Sequence, residues 1–416
     1  MASATISSSG QHTDWLRIAI CFVAGMLAVS HNGKLPGAIP ALQDQLRFSL
    51  TAAGVLVSAF SFVAAGFGIF ISRTLRQFPF WLVAMSGLML SGAASIVATF
   101  FDDFLVLTLM RTLEGLGFMF CIVSLPALIQ AQASPKDRNL AMAIWSCFVP
   151  AGLGLTMILV APLQLGQGWI TIWQVIGLLS VVCGLVMALA FRIAAPPRIE
   201  IGNMAMPSKP ASSGLWKDLT RHKEIWVVFL IFLPFSVSFQ PVMAFLPSLL
   251  IDTTGFGLGS AASLTGFIIL LNIAGNLLAA RILRRGMTPQ NLMRIAMLVN
   301  MICASMVFIA ELPIWLQIAS GMVFSAISGL LPGVAWIAIG LFSENRQQSS
   351  VYSAALIQTA GIGQLLGPVA LAAFVDFSGS WSYAALPIAL AGLFGLYCVK
   401  ALGRDGQSRL TRPLAY

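Results

Sequence analysis

Residues 192–224 read RIAAPPRIEIGNMAMPSKPASSGLWKDLTRHKE. The stretch is basic, broken by Pro196, Pro197, Pro207 and Pro210, and too polar to enter a bilayer. What lies on either side is the opposite. The 416 residues are 58% hydrophobic and only 9% charged, where a soluble protein carries about 25% charge. A surface this apolar aggregates in water, so the solvent is lipid and the bilayer is the partner surface. A span needs about 20 apolar residues. Six candidates precede the polar stretch, at 15–40, 50–72, 79–100, 104–130, 138–163 and 170–191. Six follow it, at 225–250, 261–282, 291–310, 314–341, 350–374 and 382–402. The expected organisation is a tail at 1–14, a six-helix bundle at 15–191, a linker at 192–224, a second bundle at 225–402 and a tail at 403–416. The fold class is an all-α membrane protein of two six-helix halves.

The charges orient it. Net charge is +9 and there are 23 Lys and Arg. With the N-terminus inside, all but Arg47, Lys34 and Arg111 fall on the inner side. That is a positive-inside pattern, with both termini cytoplasmic, rather than a nucleic-acid footprint. The start of the chain lacks the basic n-region of a secretory signal, so the first span is expected to be retained. Cys21, Cys121, Cys147, Cys183, Cys303 and Cys398 are scattered through apolar segments without metal spacing and read as small packed hydrophobes. His12, His31 and His222 lie too far apart in topology to converge. No metal, cofactor, catalytic constellation or nucleic-acid partner is expected, and a monomer is.

The halves echo each other. GIFISRTLRQ after span 2 and NLLAARILRR after span 8 place Arg73 and Arg76 against Arg281 and Arg284, offset by half the chain length. Gly152 and Gly154 of span 5 fall similarly against Gly361 and Gly363 of span 11. Such internal similarity marks a duplicated transporter. On these residues the chain resembles the major facilitator superfamily. Gly68, Ser72, Arg73 and Arg76 are similar to its G-x-x-x-D-R-x-G-R-R loop signature without the Asp, the second Gly and the last Arg. Asn276 to Arg285 forms the second copy. Arg111, Gly115 and Gly117 resemble its R-x-x-x-G-x-G motif in span 4. Trp145, Pro150 and Gly152 loosely resemble the cyanate and nitroimidazole transporter branch. The resemblance implies alternating access and a bacterial inner (plasma) membrane. It also implies a conformational latch at Gly68, Arg73, Arg76, Arg281 and Arg284; topology-setting arginines are the plainer reading of the latter.

Span 1 contains SHNGKLPG, residues 30–37. A charge at a helix centre costs about 2.5–3.5 kcal/mol on insertion scales. Counting about 1.5 Å per residue from Pro40 inward and from Phe104 inward, Lys34 matches Arg111 in depth, and His31 matches Glu114. His31 with Lys34, and Arg111 with Glu114, are spaced i,i+3, so each pair shares a face that lipid cannot solvate. The resembling fold sets spans 1 and 4 beside the central cavity. The four groups then form a cluster of net +1, suited to an anion, with Lys34 and Arg111 binding substrate and Glu114 or His31 carrying a proton. Plainer readings stand beside these: a snorkelling Lys34, an Arg111 braced on span 1 carbonyls, a Glu114 that only neutralises it, and a hydrogen-bonded core His31.

In the second half, Gln240, Asn272, Asn276, Trp336, Gln358 and Gln364 are polar candidates, with Asn272, Gln358 and Trp336 the expected substrate contacts. Gly33, Pro36 and Gly37, and Gly329, Pro332 and Gly333, mark expected bends in spans 1 and 10. The expectation is a secondary transporter of a small organic or inorganic anion, coupled to protons by symport or antiport. The alternatives are an efflux antiporter for neutral or amphipathic drugs or metabolites, and a non-transporting membrane sensor, which is expected to carry an added soluble domain.

Overall fold

The computed structural model describes residues 12–163, 168–192, 222–343, 346–402 and 409–411. Almost all of the 192–224 linker and most of both tails lie outside the described residues. The described chain is helical, and twelve spans are long and apolar enough to cross a membrane. They are span 1, Trp15–Gly33; span 2, Leu50–Leu75; span 3, Phe80–Ala98; span 4, Phe104–Gln132; span 5, Arg138–Leu159; and span 6, Trp169–Arg192. The second half holds span 7, Glu224–Thr254; span 8, Leu258–Arg284; span 9, Pro289–Phe308; span 10, Ile314–Phe342; span 11, Gln348–Ser378; and span 12, Trp381–Leu402. Asp14, Ser49, Asp103 and Thr288 cap helix N-termini with their side chains, satisfying N–H groups that lipid cannot.

Packing repeats between the halves. Span 1 packs on spans 4, 5 and 6, and span 3 on spans 4 and 6. Span 7 packs on spans 10, 11 and 12, and span 9 on spans 10 and 12. Spans 2 and 11, and spans 5 and 8, join the halves. The glycine pairs perform the same two tasks in reverse order. Gly152 abuts Met26 and Val29 of span 1 while Gly154 meets Gly266 of span 8. In span 11 it is Gly361 that crosses to Ala64 and Ala65 of span 2, and Gly363 that stays with Leu233 and Ser236 of span 7. The sequence offset aligns the spans but not the individual glycines.

Several spans are broken. Span 1 ends at Gly33 and not at residue 40; a turn follows, then a short helix at Ile39–Leu46. Pro36 explains this, because it cannot return an N–H to the Asn32 carbonyl and disfavours helical Leu35. Span 10 breaks at Gly329. Span 2 breaks between Ala59 and Phe62, and span 8 at Leu271, with no proline at either place. Span 7 remains one helix through Pro234, Pro241 and Pro247.

The core is asymmetric along the membrane normal. One apolar cluster runs through the first half and continues into Val242–Leu250, Ile268, Phe308, Leu371 and Val375, all toward the end away from the basic loops. The basic end of the second half has its own cluster, around Phe229, Leu292, Leu331 and Tyr352. The halves are thus fused at one end and separately cored at the other. At the fused end Asp376 of span 11 accepts from the Thr51 backbone N–H at 2.7 Å and from its hydroxyl at 2.6 Å.

Candidate functional site

Span 4 assembles the site. A Cβ on Gly115 would overlap the Phe60 carbonyl at the break in span 2, and one on Gly117 would overlap Ser91 and the Gly87 carbonyl of span 3. Only glycine admits both neighbours this closely. At the break Phe60 N–H turns to Ser58, which frees the Leu56 carbonyl. Arg111 Nε takes it at 3.4 Å. The end of span 1 leaves the His31 carbonyl open, and Arg111 Nη1 donates to it at 2.5 Å. The brace on span 1 is therefore present, together with the charge contacts.

Glu114 lies between the two cations. Its Oε1 is 2.5 Å from Lys34 Nζ, and its Oε2 is 2.5 Å from Arg111 Nη1. His31, Lys34, Arg111 and Glu114 are all 0% exposed. Lys34 spends its three protons on Glu114, on Ser95 Oγ at 2.5 Å and on His31 Nδ1 at 3.3 Å. Its ammonium also sits 4.2 Å from the Trp173 ring centroid, and the Arg111 guanidinium 5.0 Å from that of Phe60. The Ser180 hydroxyl donates to Ile176 at 2.9 Å, so it accepts from His31 Nε2, also at 2.9 Å. These partners assign the Nε2–H tautomer, a neutral His31 whose Nδ1 accepts from Lys34. The cluster holds two cations and one carboxylate.

Its direction differs from the expectation. Lys34 and His31 point between spans 3, 4 and 6, into the interior of the first half, through Ser95, Trp173 and Ser180. Contact with the second half runs through Asn32. Its Oδ1 accepts from Arg111 Nη2 at 3.5 Å and from Gln240 Nε2 of span 7 at 3.2 Å. Ser95, Trp173, Ser180 and Asn32 were not singled out in the sequence. Only Asn32, beside His31, carried a local signal.

The second-half candidates are dispersed. Gln358 accepts from the Ile69 backbone N–H at 3.1 Å and packs against Gly68. Three residues apart, Gln358, Gly361 and Gln364 form a stripe along span 2, with Gln364 accepting from Ser61 at 2.8 Å. Asn272 donates to the Ser325 carbonyl at 3.0 Å and accepts from Asn276 at 3.2 Å, tying the breaks of spans 8 and 10. Trp336 is 46% exposed on span 10 and has no contact with the cluster. These placements make Gln358 and Asn272 ties between helices. Of the loop arginines, Arg76 reaches the Ser350 carbonyl of span 11 at 3.5 Å. Arg73, Arg281 and Arg284 are exposed, and their side chains make no ion pair or hydrogen bond among the described residues. Trp145 of the branch-like run lies over Gly25 and stacks on Phe148 at 4.1 Å, which makes that run a contact between spans 1 and 5.

Comparison with known proteins agrees with this architecture. The family model described as Major Facilitator Superfamily matches residues 18–357. A probable sulfoacetate transporter of Cupriavidus necator is 22% identical over 385 residues, spanning 88% of this chain and 87% of the relative. A 2-nitroimidazole transporter of Escherichia coli is 25% identical over 413 residues, spanning 97% and 99%. Among solved structures, a bacterial homologue of the human lysosomal transporter Spinster, inward-facing and unoccupied, superposes with a TM-score of 0.74 at 14% identity, covering 95% of this chain and 98% of that one. The nucleoside transporter NupG superposes at 0.73 and 14% identity, covering 93% and 100%. The chain belongs to the Major Facilitator Superfamily. It is a multi-pass membrane transporter of small solutes.

Proposed function

We propose that this member of the superfamily moves a small organic anion by proton-coupled alternating access, with its basic end in the cytoplasm and its spans in an inner (plasma) membrane. The observation that carries the reading is the surplus positive charge on the Lys34–Glu114–Arg111 cluster at 0% exposure. A buried unbalanced charge is expensive, and an arriving anion neutralises it. Without substrate, Glu114 occupies both cations. A proton on Glu114 releases them, and an anionic substrate then competes for the same donors, entering past Asn32 on the side of Gln240. Arg111, at that edge, meets the substrate first; its planar fork suits a carboxylate or sulfonate. Lys34 supplies the second positive charge, and His31, whose Nδ1 accepts from Lys34, is the alternative proton carrier. Sulfoacetate, named for one relative, has this chemistry. The seam at the Asp376 end, with separate cores at the basic end, supports rocking of the halves.

A second reading, export of neutral compounds, rests on a specific observation. Every Lys34 proton is already used inside the first half. The test is a thermal-shift screen of purified wild type and Lys34→Ala with sulfoacetate, other organic anions and 2-nitroimidazole. A ligand at 100 times its Kd stabilises by about 2.7 kcal/mol. Anions are expected to stabilise the wild type, more strongly as pH falls, and not Lys34→Ala. Equal stabilisation of both proteins by the neutral compound alone sinks the anion reading.

A further inference from the structure

The turn joining spans 8 and 9 borders an open surface cavity of about 630 Å³ that the transport mechanism does not use. Arg285 and Arg294 line it, with Thr288, Asn291, Ile282 and Ile295. Arg281 and Arg284 stand beside it. All four arginines are exposed, and none of their side chains has an ion-pair or hydrogen-bond partner among the described residues. No Asp or Glu occurs between Asp252 and Glu311 to balance them. The matching first-half loop differs, since its Arg76 is engaged by the Ser350 carbonyl.

Beside its polar groups the cavity has an apolar part, made by Ile282, Met287 and Ile295. Helix Pro289–Phe308 begins in its wall, capped by the Thr288 hydroxyl, so the positive end of a twenty-residue helix adds to the arginines. Ile282 lies two residues from the end of span 8 and Ile295 six residues into span 9, where it is 45% exposed. A free phosphate satisfies the arginines and leaves that apolar wall unused. A phospholipid uses both. Basic recesses between spans are suited to anionic headgroups.

We propose that this cavity binds an anionic phospholipid, with Arg285 and Arg294 holding the headgroup phosphate and the first acyl carbons lying over Ile282 and Ile295. Such a lipid bridges spans 8 and 9 at the end where the second half has its own core.

Native mass spectrometry of the purified full chain tests this, titrating phosphatidylglycerol and phosphatidylcholine into detergent micelles. Phosphatidylglycerol is expected to bind at least tenfold more tightly. Arg285→Gln/Arg294→Gln is expected to weaken it by about 30-fold, from about 1 kcal/mol per charge near a membrane surface. Arg285→Lys/Arg294→Lys retains most of the binding. Because the arginines are surface groups, melting in lipid-free detergent should be unchanged in each variant. Three results overturn the proposal: equal binding of phosphatidylcholine, an equal loss with Arg281→Gln/Arg284→Gln, which marks diffuse charge, or displacement of phosphatidylglycerol by millimolar inorganic phosphate, which marks a free-anion site.

Discussion

Replacing Glu114 by Gln keeps the side-chain shape and removes the only negative charge in the cluster. Two cations, each 2.5 Å from that carboxylate, then face each other with no counter-ion at 0% exposure. At an effective dielectric of about 20, each contact is worth about 6–7 kcal/mol before desolvation. Desolvation cancels much of that, and losing one partner of a buried pair typically costs about 3–5 kcal/mol. At about 2 °C per kcal/mol for a larger chain, Glu114→Gln should melt about 6–10 °C below the wild type in detergent. The compensating change is Lys34→Met, which removes the stranded ammonium while keeping an apolar stem against Trp173. Lys34→Met/Glu114→Gln should recover part of the loss, with a coupling energy of about 1–3 kcal/mol in the double-mutant cycle. Differential scanning fluorimetry on the four proteins reads this directly. A Glu114→Gln protein melting with the wild type, or a double variant whose losses simply add, refutes the idea that one carboxylate holds both cations.

Other expectations follow from single contacts. Gly115→Ala drives a methyl into the Phe60 carbonyl, a backbone atom with nowhere to rotate, and should cost about 1–3 kcal/mol or more; Gly66→Ala, in open space on the helix of span 2, should gain about 0.5–1 kcal/mol, as monodisperse yield and melting will show. Asp376→Ala removes the acceptor for both Thr51 groups and should raise maleimide labelling of a cysteine placed at Ser49, with unchanged labelling counting against a seam at that end. Hydrogen bonds from Thr13 and Ser134 hold the Asp137 carboxyl below its ordinary range. Its stabilising effect is therefore full above the unfolded value of about 3.9 and fades as pH falls through the folded value. Wild type and Asp137→Asn should differ in melting at pH 6 and converge in strong acid.

The twelve spans were legible because lipid leaves one signature, long apolar runs with the charges swept to the loops. The structure has spans near every one of those positions. The cluster was legible for the same reason, since four ionisable groups inside spans have few ways to be solvated. Its orientation was not. Lys34 turns into the first half where Ser95 and Trp173 receive it, as Ser180 receives His31, and serines in an apolar helix look like packing residues. The breaks in spans 2 and 8 were equally hidden. Neither has a proline, and at the first the Phe60 carbonyl sits against Gly115 of another helix, a contact that no local sequence signal announces. Proline and glycine did announce the end of span 1, yet at Gly33 rather than residue 40, because the first residue unable to continue the helix decides the boundary.

The asymmetric core carries an energetic consequence. Parting the halves at the Asp376 end bares Val242–Leu250, Leu371 and Val375 to water, at about 25 cal/mol for each Å² of apolar surface. Parting them at the basic end separates smaller apolar contacts, at Ile69 and Ile357, and polar ties such as Arg76 to Ser350 and Asn276 to Ser146. Under the proposed alternating access, the empty carrier is therefore expected to be weighted toward opening at the basic end. Each tenfold of that weighting is about 1.4 kcal/mol, which cargo or proton must supply through tighter binding to the opposite state before the carrier can load from the other side.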